Sequence, residues 1–262
     1  MARNTYGLDL GSYEIKVYDK KQDTIWKEKN VLAVQDKKEI IAIGEDAYQM
    51  YEKTPPDIEV AFPMRDGVIS RFNDMQNLLQ NILKKNRHFS RGAEYVIAVP
   101  TDVTEVQKKA FFDLVIHSNA KAREVNIVER SIADAVGLGI DVQNTTGVMI
   151  INFGGETTEL SVLTEGGIVF NRLLKLGGTT LDQEIVNLVR NSHDFLIGSR
   201  TAEILRQQFD VFNGDSETAF SVAGRDLITG LPMRKTISIT LVRAAFKDTL
   251  LECMKAVRSM LD

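Results

Sequence analysis

Val148-Met-Ile-Ile-Asn-Phe-Gly-Gly-Glu-Thr-Thr-Glu-Leu-Ser-Val162 is the stretch that decides the fold. Residues 148–153 form an apolar run that is too short and too β-branched for a helix, so they predict a central strand buried on both faces. Gly154 and Gly155 allow a tight turn and leave bare N–H groups where no side chain blocks an anion, which suits a phosphate. The alternating residues that follow predict a second strand, and the whole stretch therefore predicts a hairpin.

The same pattern occurs once more, near the start of the chain, over residues 6–18. There, Leu8-Asp9-Leu10-Gly11 matches Ile151-Asn152-Phe153-Gly154, and Ser12 adds a hydroxyl group at the turn. Such a match indicates an internal duplication. Strands that alternate with helices elsewhere in the chain favour an α/β arrangement. We therefore expect two α/β lobes that face a cleft.

The composition indicates a globular protein and excludes several function classes. Of the 262 residues, 44% are hydrophobic, which is enough for a sizeable core. A net charge of −4 gives no general attraction to nucleic acid, so no nucleic-acid partner is expected. The single cysteine, Cys253, excludes an internal disulfide and fits a reducing compartment. No apolar run reaches the length of a membrane span and no signal peptide precedes the first strand, so we expect a cytoplasmic protein.

Five further motifs carry a resemblance to a known family. In chain order they are Ala42-Ile-Gly-Glu-Asp-Ala47, Phe62-Pro-Met-Arg-Asp-Gly-Val-Ile69, Val99-Pro-Thr-Asp-Val-Thr-Glu-Val106, Ile197-Gly-Ser-Arg-Thr-Ala-Glu203 and Gly224-Arg-Asp-Leu-Ile-Thr-Gly-Leu-Pro232. Together with the two hairpins they resemble the MreB family, the bacterial actin homologues, within the superfamily that also holds DnaK-type chaperones and sugar kinases. Each motif is weak by itself, whereas the ordered set is specific and extends over most of the chain.

The resemblance implies an actin-like α/β fold, in which RNase H-like lobes are duplicated and each carries a small inserted subdomain. We expect the first lobe at residues 1–140, with its subdomain at about 32–73. The second lobe is expected at residues 141–262, with its subdomain at about 187–239. Family members continue past the last helix of this chain, so the second lobe is expected to be incomplete.

The function implied by the resemblance is that of a divergent MreB-like filament protein, which determines cell shape and guides cell-wall synthesis. The expected partners are further copies of the chain or MreB-type filaments, the anionic inner membrane surface and cell-wall synthesis proteins. The cofactors expected for the family are ATP and Mg²⁺. Two alternatives stay open at this point: an active ATPase of the superfamily, and a nucleotide-dependent regulatory or binding module.

The resemblance also implies a set of nucleotide-binding residues at the two turns, at a later glycine pair and on a helix. They are Gly11, Ser12, Gly154, Gly155, Thr157, Gly177, Gly178, Glu203 and Arg206. The later glycine pair precedes a helix, whose free N–H groups favour phosphate; Thr180 and Gln183 predict a capping box there. Asp9 is the candidate metal ligand.

Four positions depart from the family and predict a degenerate site. Arg130 and Asn152 stand where the family has a glutamate and an aspartate, so no catalytic residue is intact. Glu14 and Glu156 place additional anions near the expected phosphates. We therefore expect weak or absent ATP binding and weak or absent hydrolysis. The alternative is that Arg130 serves as a phosphate-binding cation in a rearranged site.

A basic cluster around one aromatic residue, Lys84-Lys-Asn-Arg-His-Phe-Ser-Arg91, predicts weak, charge-dependent contact with a membrane. Phe89 is the one side chain of this cluster that could insert between lipids. The cations that could meet anionic headgroups, at about 1 kcal/mol each, are Lys84, Lys85, Arg87 and Arg91. The competing interpretation is an ordinary solvated loop with cations near a helix end.

Overall fold

The computed structural model describes residues 4–85, 92–208, 214, 215 and 217–261. The chain divides into two compact units, Met1–Lys175 and Leu176–Asp262, and each is described by itself. The predicted lobe boundary after residue 140 falls inside the first unit and stays a prediction.

The first unit contains most of the strands. Its strands are β1 (Thr5–Leu10), β2 (Glu14–Asp19), β3 (Thr24–Lys29), β4 (Leu32–Gln35), β5 (Glu39–Ile43), β6 (Ile58–Ala61), β7 (Met64–Arg65), β8 (Val68–Ile69), β9 (Glu94–Val99), β10 (Glu124–Glu129), β11 (Val148–Phe153), β12 (Thr158–Thr164) and β13 (Gly167–Leu174). Its helices are α1 (Glu45–Met50), α2 (Phe72–Lys85), α3 (Glu105–Ile116) and α4 (Arg130–Gly137).

A five-stranded sheet in the order β10-β9-β1-β2-β3 organises the first unit. The strands β1, β2 and β3 pair antiparallel, whereas β9 and β10 run parallel to β1. Every second residue of β1 and β9 is buried, because alternate side chains of a strand point to one face. That face forms a core with the apolar side of α2, including Met75, Leu78 and Ile82. The combination of antiparallel hairpins with parallel pairing confirms the α/β expectation.

The central hairpin is present, but one expectation about it is wrong. Strands β11, β12 and β13 form an antiparallel sheet in that order, with Asn152 opposite Glu159. Within the described residues β11 is an edge strand, and Ile151 and Phe153 are 50% and 41% exposed. It is therefore not a central strand buried on both faces. A run of apolar residues does not distinguish these cases, because the covering layer is supplied by elements distant in sequence.

The second unit packs three helices against a small sheet. Its elements are α5 (Gly178–His193), β14 (Phe195–Leu196), α6 (Ser199–Gln208), β15 (Ala219–Asp226), β16 (Pro232–Ser238) and α7 (Ile239–Leu261). The sheet order is β14-β15-β16, with antiparallel pairing. Its core joins Ile185 and Val189 of α5 to Leu205 of α6 and to Val242 and Phe246 of α7. These residues repeat at helical spacing, which is why each helix buries one side.

Among the helices within the described ranges, none combines the length and the apolar character that crossing a bilayer requires.

Candidate phosphate-binding turns

The turns of the two predicted hairpins have the same geometry. In the first, Gly11 N–H donates to Glu14 O at 3.1 Å, and in the second, Gly154 N–H donates to Thr157 O at 2.8 Å. A Cβ atom on Gly11 would lie 2.8 Å from Glu14 O, and one on Gly154 would lie 2.9 Å from Thr157 O. Both positions therefore exclude any side chain, because so short a contact with backbone cannot relax. The same turn is built twice, as expected for a duplication.

A third turn, at Asp66 and Gly67 between β7 and β8, joins the two hairpin turns. Gly67 N–H donates to Ser12 Oγ at 3.1 Å, and Asp66 N–H donates to Glu156 Oε2 at 2.7 Å. Gly67 has a φ of +81°, a left-handed conformation that favours glycine. The structure thus brings the first hairpin turn and the second together across one short loop.

Two further contacts place the predicted phosphate-binding residues in one region of the first unit. A Cβ atom on Gly155 would lie 2.6 Å from Tyr13 Cβ, so glycine is required where the turns approach each other. Thr157 is buried, and its Oγ1 would lie 3.5 Å from a Cβ on Gly67. Gly11, Ser12, Gly154, Gly155 and Thr157 therefore cluster, as their assignment to one site requires.

The candidate metal ligand, Asp9, is engaged by two cations. Its Oδ2 lies 2.9 Å from Lys16 Nζ, across the β1–β2 pair, and its Oδ1 lies 3.3 Å from Arg130 Nη2. Arg130 is the first residue of α4, and its side chain is only 12% exposed. Both oxygens of the carboxylate thus face positive charge, which disfavours a metal ion at the same atoms.

Asn152 is also engaged, by an acid that sequence reasoning missed. Its Nδ2 donates to Asp134 Oδ2 at 2.6 Å. Burial raises the pKa of Asp134, while the hydrogen bond from Asn152 and the charge of Arg130 act in the opposite direction. Asp134 lies four residues after Arg130 on α4, on the same helix face, and that spacing was the available signal.

A buried network around Glu159 was missed as well. Glu159 is 3% exposed, and its Oε1 accepts from Thr101 N–H at 2.9 Å, Ser131 Oγ at 3.0 Å and Asn171 Nδ2 at 3.0 Å. Ser131 Oγ lies in addition 2.5 Å from Ser161 Oγ. These bonds tie the start of α4 to β12 and β13, and thereby fix the position of Arg130. The only signal in the sequence was an acidic residue, Glu159, within a segment whose pattern predicts a strand.

The two additional anions predicted from sequence have protein partners. The carboxylate of Glu156 accepts from Asp66 N–H, as described above. Glu14 Oε1 lies 4.0 Å from Lys27 Nζ on the neighbouring strand β3. Each charge is therefore partly compensated within the protein, and its effect on a phosphate stays a prediction.

In the second unit, the predicted glycine pair starts α5, with Gly177 as the N-cap. Gly177 N–H donates to Thr180 Oγ1 at 3.2 Å. The predicted capping box of Thr180 and Gln183 is wrong, because the helix already begins at Gly178 and Gln183 instead donates to Asn187 Oδ1 at 3.1 Å. Glycine lacks the side chain that usually marks a helix start, so the sequence signal was shifted into the first turn.

Arg206 and Glu203 lie beside this helix start. Arg206 Nε and Nη2 lie 2.7 and 3.2 Å from the two oxygens of Asp182, a residue that sequence reasoning missed. The guanidinium also lies 3.2 Å from the position of a Cβ on Gly178. Glu203 is buried and accepts from Gln207 Nε2 at 2.8 Å, and burial raises its pKa against the influence of Arg206. Gly178, Glu203 and Arg206 are thus brought together, and their role toward a nucleotide stays a prediction.

The predicted membrane-contact residues are only partly within the described chain. Lys84 is exposed near the end of α2, and Lys85 is the last residue of that helix. Arg87, Phe89 and Arg91 lie outside the described residues. The membrane prediction is therefore neither supported nor contradicted.

The described residues do not fit a divalent metal. In the parts of the chain that the structure describes, no group of three or more His, Cys, Asp or Glu side chains is arranged to hold one. Mg²⁺ prefers carboxylate oxygens and water, yet Asp9 is held by Lys16 and Arg130, and Asn152 carries no charge.

By contrast, the turns carry no side chain at Gly11 and Gly154, so no side chain blocks an approaching phosphate there. The expectation of bare N–H groups is wrong at these two glycines, because each N–H donates to a backbone oxygen of its own turn. The hydroxyl of Ser12 accepts from Gly67 N–H and can donate to a phosphate oxygen.

A duplicated glycine turn at the ends of paired strands, inside an α/β fold, defines an actin-like protein. The family described as MreB/Mbl protein matches residues 3–262. The chain therefore belongs to the MreB/Mbl family. It is 32% identical to the cell shape-determining protein MreB of Escherichia coli strain K12, covering 100% of this chain and 78% of that protein. It is 30% identical to the cell shape-determining protein Mbl of Bacillus subtilis, covering 98% of this chain and 78% of that protein.

Solved structures agree on the fold. The structure of MreB5 of Spiroplasma citri bound to AMPPNP matches with a TM-score of 0.91 and 30% identity, covering 100% of this chain and 79% of that one. The MamK double helical filament matches with a TM-score of 0.78, covering 99% of this chain and 80% of that one, but at 20% identity it shows the fold alone. These findings confirm the actin-like architecture and the family expected from the sequence.

Proposed function

We propose that this chain is an actin-like cytoskeletal protein that determines cell shape and assembles with itself or with MreB-type filaments. The family and its named cell shape-determining relatives support the role. Membership of the MreB/Mbl family supports self-association, and the nucleotide-bound MreB5 supports a nucleotide at the glycine turns. The proposal includes a cytoplasmic location, contact with the anionic inner membrane surface and cooperation with cell-wall synthesis proteins.

We also propose that the chain does not turn over ATP. The observation that supports this proposal is the ion pair between Arg130 and Asp9. Attack on a γ-phosphate requires a group that accepts a hydrogen bond from the attacking water, and a charge that stabilises the phosphate oxygens. A guanidinium has five donors and no acceptor, so Arg130 cannot orient water as a base does. Asn152 donates its amide to Asp134 and offers no carboxylate.

Assembly is tested by sedimentation and electron microscopy of the chain, alone and mixed with an ordinary MreB. We expect pelleting and filaments in at least the mixture, with or without ATP. Strictly monomeric behaviour and no co-assembly would count against the filament role.

Turnover is tested by phosphate release from the native chain and from the double variant Arg130→Glu with Asn152→Asp. We expect the native chain to stay near background. Restoring both acids need not restore activity, because groups that act as a unit contribute non-additively. Steady turnover by the native chain that the double variant abolishes would instead support the active ATPase.

Nucleotide affinity is tested by calorimetry with ATP. We expect weak binding, because Asp9 is paired with Lys16 and Arg130 and therefore does not hold a divalent cation that would bridge to the phosphates. A Kd of about 1 μM or tighter, about −8 kcal/mol, would contradict this expectation.

A further inference from the structure

Arg130 lies beside the strand that leads into the first glycine turn. It begins α4, and its Nη2 atom reaches the end of β1 at Asp9, two residues before Gly11. The Nη2 atom is buried and has no hydrogen-bond partner among the described residues, although it lies 3.3 Å from Asp9 Oδ1. A buried donor that forms no hydrogen bond costs free energy, because it has lost its bond to water. An oxygen-rich anion at the turns would satisfy it.

Two carboxylates around Arg130, those of Asp9 and Asp134, are bonded to protein groups. Asp9 is shared between Lys16 and Arg130, and Asp134 accepts from Asn152. Glu159 Oε1 accepts from Thr101 N–H, whereas Glu159 Oε2 is buried without a hydrogen-bond partner among the described residues. A divalent cation at Asp9 would have to displace Lys16 or Arg130, whereas a guanidinium is already present there.

We propose that Arg130 binds the phosphate oxygens of a nucleotide directly, and that the chain holds its nucleotide without a divalent cation. This inference rests on the proposed nucleotide role of the two glycine turns and specifies how that site is charged. The polyphosphate is the part of the ligand that the site recognises. Lys16 contributes by neutralising Asp9, which would otherwise repel the phosphates.

The geometry of arginine suits this role. Its planar fork of donors matches two phosphate oxygens at once, and charge-assisted bonds of this kind are about twice as strong as neutral ones. The start of α4, which carries this side chain, is held in place because Ser131, the next residue, is bonded to Glu159 and Thr101. The backbone of Arg130 is thus fixed before any ligand arrives, which lowers the cost of binding.

The test is calorimetric titration of the full chain with ATP, in excess MgCl₂ and in excess EDTA. We expect the two Kd values to agree within about threefold, which is less than the tenfold that corresponds to 1.4 kcal/mol. Binding that requires Mg²⁺, or that weakens about tenfold or more in EDTA, would overturn the inference. Absence of binding in both buffers would overturn it too, while the filament proposal would still be judged by sedimentation without nucleotide.

Tripolyphosphate separates the polyphosphate from the nucleoside. We expect it to compete with ATP in EDTA, because the proposed contact is to phosphate oxygens. If ATP binds in EDTA but tripolyphosphate does not compete, the nucleoside carries the affinity and the inference fails.

Variants assign the effect to Arg130. Arg130→Gln should weaken ATP binding in EDTA about tenfold, because it removes a charge-assisted contact. The matched control is Arg123→Gln, at an exposed position before the opposite end of β10, which should bind as the native chain does. Equal affinities of the two variants would overturn the inference. If circular dichroism shows that Arg130→Gln does not fold, ATP binding by Arg130→Lys is measured instead, since this variant keeps the charge. A new dependence of its binding on Mg²⁺ would overturn the inference. Continued binding in EDTA would support it.

Discussion

Loss of Arg206 should destabilise the second unit strongly. Asp182 is 7% exposed and receives two donors from Arg206, although burial raises the pKa of Asp182. Arg206→Ala leaves this acid buried without its cation, and we expect a loss of about 3–5 kcal/mol in the free energy of unfolding. Urea denaturation measures it.

The matched control for that change is Arg190→Ala, at an exposed position near the end of α5. It should cost less than about 1 kcal/mol, as expected for a surface cation near a helix end. If the two variants are equally stable, the Asp182 contact contributes little. The double variant Arg206→Leu with Asp182→Leu should recover stability relative to Arg206→Ala, because no charge is then left buried.

At the scale of the element, the start of α3 carries a complete capping box. Thr104 Oγ1 accepts from Gln107 N–H at 3.3 Å, and Gln107 Oε1 accepts from Thr104 N–H at 2.8 Å. The two residues thus satisfy each other's backbone N–H groups. Thr104→Ala should destabilise the chain by about 1 kcal/mol, since it leaves helix N–H groups unpaired. Thermal or urea unfolding measures the loss; Val106→Ala, at a side chain 79% exposed on the same helix, should be near neutral.

The turn between β15 and β16 should respond to acid. Asp226 accepts from Thr229 N–H at 2.9 Å and from Lys235 Nζ at 2.9 Å, and these bonds lower its pKa from 3.8 to about 2, the bond from Thr229 N–H contributing most. A lowered pKa means that the stabilisation is complete above the ordinary value and is lost as the pH falls through the folded value. The stability difference between the native chain and Asp226→Asn should therefore shrink between about pH 4 and pH 2. Urea unfolding at a series of pH values measures it, and a difference that stays constant would contradict the assignment.

At the scale of the whole molecule, the membrane prediction concerns residues 84–91. Liposome flotation should show more binding to anionic than to neutral vesicles, and Phe89→Ser should reduce it. Replacing the cluster's cations by serine should lose about 1 kcal/mol each. An equal number of exposed lysines, at positions 20, 21, 37 and 38, provides the control for net charge. Equal flotation with both vesicle types would remove the prediction.

The parts of the fold that the sequence predicts are those specified locally. The glycine turns at Gly11 and Gly154 were predictable because their strands and turns are contiguous and occur twice. The helix faces were predictable for the same reason, since periodicity lies within one segment. The edge position of β11 was not, because it depends on what lies beside the strand.

The partners within the site were the least predictable feature. Asp134 meets Asn152 from 18 residues away, and Asp182 meets Arg206 from 24 residues away. Such pairs produce no periodic pattern in the sequence. A polar residue on a helix also gives the same pattern whether it faces solvent or a buried partner. The resemblance supplied the identity of the site residues, but it could not supply contacts made by residues that depart from the family.

The turn at Asp66 and Gly67 makes the two hairpins separately observable by amide hydrogen exchange. Asp66 N–H is bonded to Glu156, 90 residues away in the sequence, and Gly67 N–H is bonded to Ser12, 55 residues away. An amide exchanges with deuterated solvent only when its acceptor has moved away. The exchange rate at Asp66 therefore reports opening of the second hairpin turn, and the rate at Gly67 reports opening of the first. The exchange rates of two consecutive amides thus report separately on two turns that are distant in the sequence.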